Sequence, residues 1–203
     1  MYRKADTPYK KIRKRLIGLN DYIGKSTGYK LKRVSYSRPS TLEALKKFGS
    51  KEIRAIEIGC AAGNNSLDVL SKLNVKEYVI IDPYELIDNQ FDDYTKDRLS
   101  LMQLQAKKKL RKYSDKITWI KKLSDDALSD LSGKYDYIYV DGDHSFEYAY
   151  KDMCNYFQFL NDEYVFGGHD IDQSGVANAF SKFIKNNDLP NIFFKDPDWI
   201  ISS

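Results

Sequence analysis

The chain's only two histidines, His144 and His169, each stand within three residues of an aspartate and just beyond an apolar run. Tyr135 to Val140 ends in Asp141-Gly142-Asp143-His144-Ser145, and Tyr164-Val165-Phe166 ends in Gly167-Gly168-His169-Asp170. If these runs are adjacent parallel strands, the two clusters meet at the strand tips. Two carboxylates so placed, Asp141 and Asp170, suit a hard divalent cation such as Mg2+, which takes oxygen ligands and keeps several waters. Such a cation would make a bound hydroxyl more acidic and could chelate neighbouring oxygens. The structural alternatives are plain. Either histidine can anchor a loop, and Asp141 can cap the helix that follows.

A second constellation lies upstream. The apolar run Ile53 to Ile58 carries Glu57 and leads into Gly59-Cys60-Ala61-Ala62-Gly63. Its composition is that of a buried parallel strand, Gly59 and Gly63 allow a tight turn, and Asn64-Asn65-Ser66 can cap a following helix. Asp82 lies 19 residues after Gly63, at the tip of Tyr78-Val79-Ile80-Ile81. Nucleotide-binding α/β folds place there the acid that accepts hydrogen bonds from a ribose diol. The pair points to an adenosine-containing ligand.

These residues need elements to hold them. Ile12, Leu16, Leu19 and Ile23 suggest a short basic amphipathic helix over 9 to 24. Ser40-Thr41-Leu42-Glu43 has the form of a capping box, with Leu42, Leu45 and Phe48 on one helical face and Gly49 as terminator. A strand over 53 to 58 follows, then a helix from about 66 to 73, a strand over 78 to 81 and a long helical region from about 94 to 113. Ile117 to Ile120 reads as a strand, and Ser124 as an N-cap with Asp125 and Asp126 in the first turn. After the strand 135 to 140, an amphipathic helix is expected over 146 to 160. Ser174 can cap a helix that buries Val176, Ala179, Phe180, Phe183 and Ile184. Ile192-Phe193-Phe194 and Trp199-Ile200-Ile201 can close the sheet as a strand pair. Strands alternating with helices predict an α/β fold with a mainly parallel, doubly wound sheet, in which ligands bind beyond the carboxyl ends of the strands.

The NAD fingerprint needs a glycine where Ala61 stands, and no Gly-Lys-Ser/Thr follows the turn as a phosphate loop requires. Glu-x-Gly-x-x-x-Gly with an acid ending the second strand resembles the first two motifs of class I S-adenosylmethionine-dependent methyltransferases. The stretch Tyr137 to Glu147, Gly167-Gly168-His169-Asp170, Gly175-Val176-x-x-Ala179-Phe180 and terminal Trp199-Ile200-Ile201 are similar to one group within them, the metal-assisted sugar and natural-product O-methyltransferases. Phe146 stands where that group often has Tyr. The likeness covers roughly residues 53 to 203 and implies a Rossmann-like, seven-stranded methyltransferase fold. It further implies that Gly59, Ala61 and Gly63 flank the methionine part of S-adenosylmethionine. Asp82 would hold the ribose, Ser124 or Asp125 would lie near the adenine, and Glu57 would orient the turn. Asp141, itself beside the cofactor, and Asp170 would be metal ligands with His169 as a further one, and Asp143 or His144 would be the general base. The expected acceptor is a small hydroxylated molecule, a sugar, glycoconjugate or phenol.

With 42% hydrophobic and 31% charged residues, the 203-residue chain has an ordinary globular composition. No run approaches a membrane span and no apolar leader stands at the N-terminus, so a cytoplasmic enzyme is expected. Cys60 and Cys154 offer no disulfide framework or metal spacing and are expected to be small buried residues. Residues 1 to 40 hold 12 Lys and Arg against Asp6 and Asp21, leaving 21 basic and 27 acidic residues in the remainder. That basic arm, ahead of a domain over 41 to 203, can meet an anionic surface, a phosphate-bearing partner or the acidic body itself. With Lys107-Lys108-Lys109-Leu110-Arg111-Lys112 it supports a second reading as an RNA or DNA methyltransferase. Against it, no Asp/Asn-Pro-Pro-Tyr/Phe motif follows the fourth strand. A nucleotide-binding protein without activity would have no need of polar groups at both later strand tips. No pattern specifies an oligomeric state.

Overall fold

The computed structural model describes residues 37–85 and 95–203. The chain divides into two units, Met1–Tyr36 and Ser37–Ser203, so that Arg38, Pro39 and Ser40 belong with the second. The amphipathic helix expected over 9 to 24 and the start of the long helix at Tyr94 lie outside the described residues.

Seven strands form one sheet in the order β3-β2-β1-β4-β5-β7-β6. They are β1 (Ile53–Ile58), β2 (Val75–Ile81), β3 (Ile117–Ile120), β4 (Tyr135–Val140), β5 (Leu160–Gly168), β6 (Asn191–Lys195) and β7 (Asp198–Ser202). The pairs among β1 to β5 are parallel, whereas β7 runs antiparallel to both β5 and β6. Because helices cover both faces, the central strands are apolar on both sides, which is why they read as continuous hydrophobic runs. One face carries Ile56, Ile58, Ile138, Val140 and Phe166 against helices α5 (Phe146–Phe157) and α6 (Ser174–Asn186). The other carries Ala55, Tyr78, Ile80, Tyr137 and Val165 against α1 (Pro39–Phe48), α2 (Asn64–Lys72) and α3 (Lys96–Leu110). A single-turn helix, α4 (Ser124–Ala127), follows β3. No helix among the described residues is long and apolar enough to cross a membrane.

Several helix starts differ from the sequence expectation, and at α1 and α2 the polar side chains are used across the fold rather than locally. The N-cap of α1 is Arg38, with Pro39 in the first turn, and not Ser40. Ser40 is fully buried, and its backbone N–H and hydroxyl both donate to Asp198 Oδ2, at 3.0 and 2.7 Å. The buried face of α1 is therefore Ser40, Thr41, Ala44 and Phe48, while Leu42 is 48% exposed. Likewise α2 starts from Gly63 in a left-handed conformation, α4 from Leu123 rather than Ser124, and α6 from Gln173 rather than Ser174, none with a side-chain cap. The helix expected to reach residue 160 ends at Phe157, since Leu160 already pairs with Tyr135. Strand β2 begins at Val75, three residues earlier than expected. Cys60 is buried as expected, but Cys154 lies on the exposed side of α5.

Asp198 organises the last strand and the first helix together. Tyr139 OH donates to its Oδ1 at 3.0 Å, and Tyr137 OH donates to Ser40 Oγ at 3.2 Å, all four residues being fully buried. Removing the carboxylate would leave two hydroxyls and one backbone N–H without an acceptor. Asp198→Ala should therefore destabilise the fold by about 2–4 kcal/mol, measured by urea unfolding. A loss below ~0.5 kcal/mol would show that the network contributes little.

Candidate active site

Strand β1 ends at Ile58, and the chain turns through Gly59, whose φ of 81° lies in the left-handed region. The turn is pressed against the tip of β4: a Cβ on Gly59 would lie 2.0 Å from the Asp141 carbonyl oxygen. Asp141 N in turn donates to Ile58 O at 2.7 Å. The turn amides point at Asp82, whose Oδ2 accepts from Cys60 N and Ala61 N, each at 2.9 Å, while Oδ1 accepts from Tyr84 N at 2.9 Å. A carboxylate has about four acceptor positions. Asp82 thus keeps room for one further donor, not for a pair unless a turn amide yields. Ala61 itself has a φ of 47°, unusual for a residue with a side chain.

Glu57 sits below this turn, fully buried, and accepts from Asn65 Nδ2 at 3.0 Å, Tyr78 OH at 3.0 Å and Ser66 Oγ. Asn65 and Ser66, expected to cap α2, are spent on Glu57 instead. Burial pushes the Glu57 carboxyl up to about 7 despite those donors.

The tips of β4 and β5 bring both histidines and both aspartates together. His144 Nε2 lies 3.2 Å from Asp170 Oδ2 and 3.8 Å from Asp141 Oδ1. His169 Nδ1 lies 2.9 Å from Asp170 Oδ2 and 3.4 Å from Asp141 Oδ1. Asp170 reaches this position with a φ of 57°, a strained conformation that aspartate tolerates better than most. Burial works against a charge on His169, yet the hydrogen bonds to Asp141 and Asp170 raise it to about 9. Burial also opposes ionisation of Asp141 and Asp170, but the facing imidazoles hold both carboxyls below their usual range. Gln173 Nε2 meets His144 Nδ1 at 3.0 Å, and a Cβ on Gly175 would lie 2.1 Å from His144 O, so the start of α6 closes over this loop. Asp143 Oδ1 accepts from Ser145 N at 2.7 Å and thereby shapes the loop from within.

The donor set fits a divalent cation. One ligand atom from each of Asp141, His144 and Asp170 lies within 4.8 Å of the others. Ligands about 2.1 Å from an ion stand roughly 3 Å apart at right angles, close to the contacts found here. His144, expected only as a base, is therefore a ligand candidate alongside His169. Arg38, counted from sequence with the basic arm, also reaches the site, 3.9 Å from Asp141 Oδ2. The signal for it was Arg-Pro-Ser directly ahead of a helix.

At the opposite side, Ser124 and Asp125 open α4 and are tied to α5. Tyr156 OH donates to Ser124 O at 2.7 Å, and Asp125 accepts from Asn155 Nδ2 at 3.0 Å and Lys151 Nζ at 3.3 Å. Beside them Asp152, unmarked in the sequence, is almost fully buried, and its Oδ1 has no partner among the described residues. One cavity of about 410 Å3 is lined by every expected site residue except Gly63, which caps α2 behind the wall, and by Arg38 and Asp152.

A family model described as a methyltransferase domain matches residues 56–171. The chain belongs to that methyltransferase domain family. The matched span holds the glycine turn, Asp82 and the β4 and β5 tips, while Arg38, Gln173, Gly175 and Asp198 lie outside it. Solved structures share the Rossmann-like methyltransferase fold at low identity. A Corynebacterium glutamicum protein is 15% identical over 97% of each chain, with a TM-score of 0.65. A Streptococcus mutans protein solved in complex with SAH is 12% identical over 82% of this chain and 97% of that one, with a TM-score of 0.57. The N-methyltransferase NodS from Bradyrhizobium japonicum is 16% identical over 80% and 91%, with a TM-score of 0.50. No curated protein matches the sequence.

Burial pushes the Asp152 carboxyl from 3.8 up to about 7. Such a group favours the folded state fully below pH 3.8, and that contribution is lost as pH rises through about 7. Asp152→Asn should therefore gain stability over wild type progressively from about pH 4 to pH 7 and level off above, by several degrees in melting temperature. A difference independent of pH would refute the buried-acid account.

Proposed function

We propose that this methyltransferase domain uses S-adenosylmethionine and methylates a hydroxyl of a small acceptor, a sugar, glycoconjugate or phenol, with a divalent cation at Asp141 and Asp170. The observation that carries the reading is a single cavity in which the glycine turn faces a cluster of two aspartates and two histidines. S-adenosylmethionine would supply a methyl group on a sulfonium. The turn from Gly59 to Gly63 would hold its methionine part, Asp82 one ribose hydroxyl, and Ser124 or Asp125 the adenine edge. A Cβ at Gly59 would displace the turn from Asp141, which accounts for glycine there.

Methyl transfer to oxygen needs the acceptor held in line and its proton removed. Asp141, Asp170 and His169 would hold the cation, whose contribution would be to make a hydroxyl bound to it more acidic and to fix its orientation. His144 is the favoured proton acceptor over Asp143, because its Nε2 stands among the strand-tip acids, 3.2 Å from Asp170 Oδ2, whereas Asp143 shapes the loop through Ser145 N. To accept at Nε2, His144 must carry its ring hydrogen on Nδ1. Gln173 can receive that hydrogen by presenting its amide oxygen, a half-turn that keeps the contact of 3.0 Å. The lysine run gives less support to a nucleic-acid substrate than its composition suggests: Lys109 bonds Ala62 O and Asn64 Oδ1 of the turn, and Lys107 lies over Trp119.

Calorimetry should detect binding of S-adenosylmethionine or its demethylated product and none of NAD; the opposite preference would sink the cofactor assignment. With an acceptor identified from a panel of sugars and catechols, screened with and without Mg2+ or Mn2+, Asp141→Ala should lower turnover by roughly 100-fold or more while changing product affinity only a few-fold. Full activity in excess chelator would remove the cation from the scheme.

A further inference from the structure

Arg38 brings a permanent charge and five N–H donors into the cavity, with its side chain 26% exposed. Among the described residues its guanidinium makes no hydrogen bond, and its one ionic contact, Asp141 Oδ2 at 3.9 Å, is too long for one. Leaving donors of a largely buried cation unmatched is costly. The backbone cannot easily relieve that cost by moving away. Pro39 follows directly, Ser40 is bound twice to buried Asp198, and Ser37 Oγ donates to Asp68 Oδ1 at 3.1 Å.

The neighbouring acids Asp141, Asp170 and Asp198 draw on Arg38 through its charge alone, with no hydrogen bond to it. Asp141 and Asp170 are each approached by both imidazoles, at 2.9 to 3.8 Å. The guanidinium is thus a positioned cation whose hydrogen-bond donors are left over among the described residues, beside the glycine turn and the strand tips. Its planar fork matches a carboxylate through two parallel hydrogen bonds. One guanidinium offers one positive charge and one fork, so a monoanion is a better fit than a doubly charged phosphate.

We infer that Arg38 is the carboxylate-binding residue of this cavity. The inference rests on the methyltransferase reading above, which provides two sources of that group: the amino-acid end of the cofactor and an acidic acceptor. Two calorimetric arms separate them. In the first, wild type and Arg38→Met are titrated with S-adenosylhomocysteine and with its decarboxylated analogue, S-adenosyl-3-thiopropylamine. In the second, both proteins, saturated with S-adenosylhomocysteine, are titrated with 3,4-dihydroxybenzoate against 3,4-dihydroxybenzyl alcohol and with glucuronate against glucose.

A charge-assisted bidentate contact predicts that wild type favours the carboxylate-bearing member of a pair by roughly 10-fold or more, a preference that Arg38→Met abolishes. Arg38→Lys should keep part of it, since the charge remains without the fork. Loss of preference in the first arm assigns the cofactor's carboxylate, and loss in the second assigns the acceptor's. Equal binding of both members in both arms by wild type, or a preference that survives in Arg38→Met, overturns the inference. Failure of both adenosine ligands to bind wild type with a normal melting transition overturns the methyltransferase reading, and this inference with it. Arg38→Met should melt within a few degrees of wild type, because no hydrogen bond is lost.

Discussion

Gly59 and Asp141 leave neighbouring strands so close together that one added methyl would sit 2.0 Å from a carbonyl oxygen. This backbone-to-backbone approach sets the distance between the ligand-holding turn and the acidic strand tip, and side chains play no part in it. Gly175 against His144 O does the same for the next loop, at 2.1 Å. Rigid main chain holds the walls of the cavity at two points, so the side chains between them are free to bind and to exchange protons. A substitution at either glycine would shift every functional group at once.

The charge pattern of the cavity divides in two. Near the strand tips, acids are matched by imidazoles and stay ionised, because each partner stabilises the other's charge. Away from them, Glu57 and Asp152 are buried without a cation and hold their protons up to about pH 7. The presence or absence of a facing imidazole thus separates the buried carboxyls of one cavity into charged and uncharged sets. The uncharged ones can hold neighbouring hydroxyls and amides without adding to the field around a ligand.

Much of this was legible in the sequence, for reasons that can be traced. The strand Tyr135 to Val140 was bounded correctly because its run is apolar on both faces and stops at a cluster of turn and acidic residues. The order of elements and the closing strand pair followed from the same alternation, while the antiparallel direction of that pair did not. Helix starts were the weak point. Ser40, Asn65 and Ser66 have the chemistry of caps, yet each is drawn to a buried acid elsewhere in the fold, Asp198 or Glu57. A local pattern carries no trace of a partner 158 positions away. Arg38 and Asp152 were hidden for a related reason: one was averaged into a basic arm and the other into a helix face, and only packing turns them inward. The convergence of Asp141, His144, His169 and Asp170 was anticipated, because strand tips of adjacent parallel strands must meet; which histidine faces which oxygen was not.

The bond between Ser40 and Asp198 also has a bearing on time. The residue that anchors the first helix lies in β7, inserted between β5 and β6 after every other strand has been made. During synthesis the glycine turn, Asp82 and both histidines are all available before residue 198 emerges. Its bond to Ser40 closes one of the longest loops between described residues. The helix that follows Arg38 can meet β5 earlier, but the buried acid that fixes its first turn arrives last, so the cationic wall of the cavity is the last part to be secured.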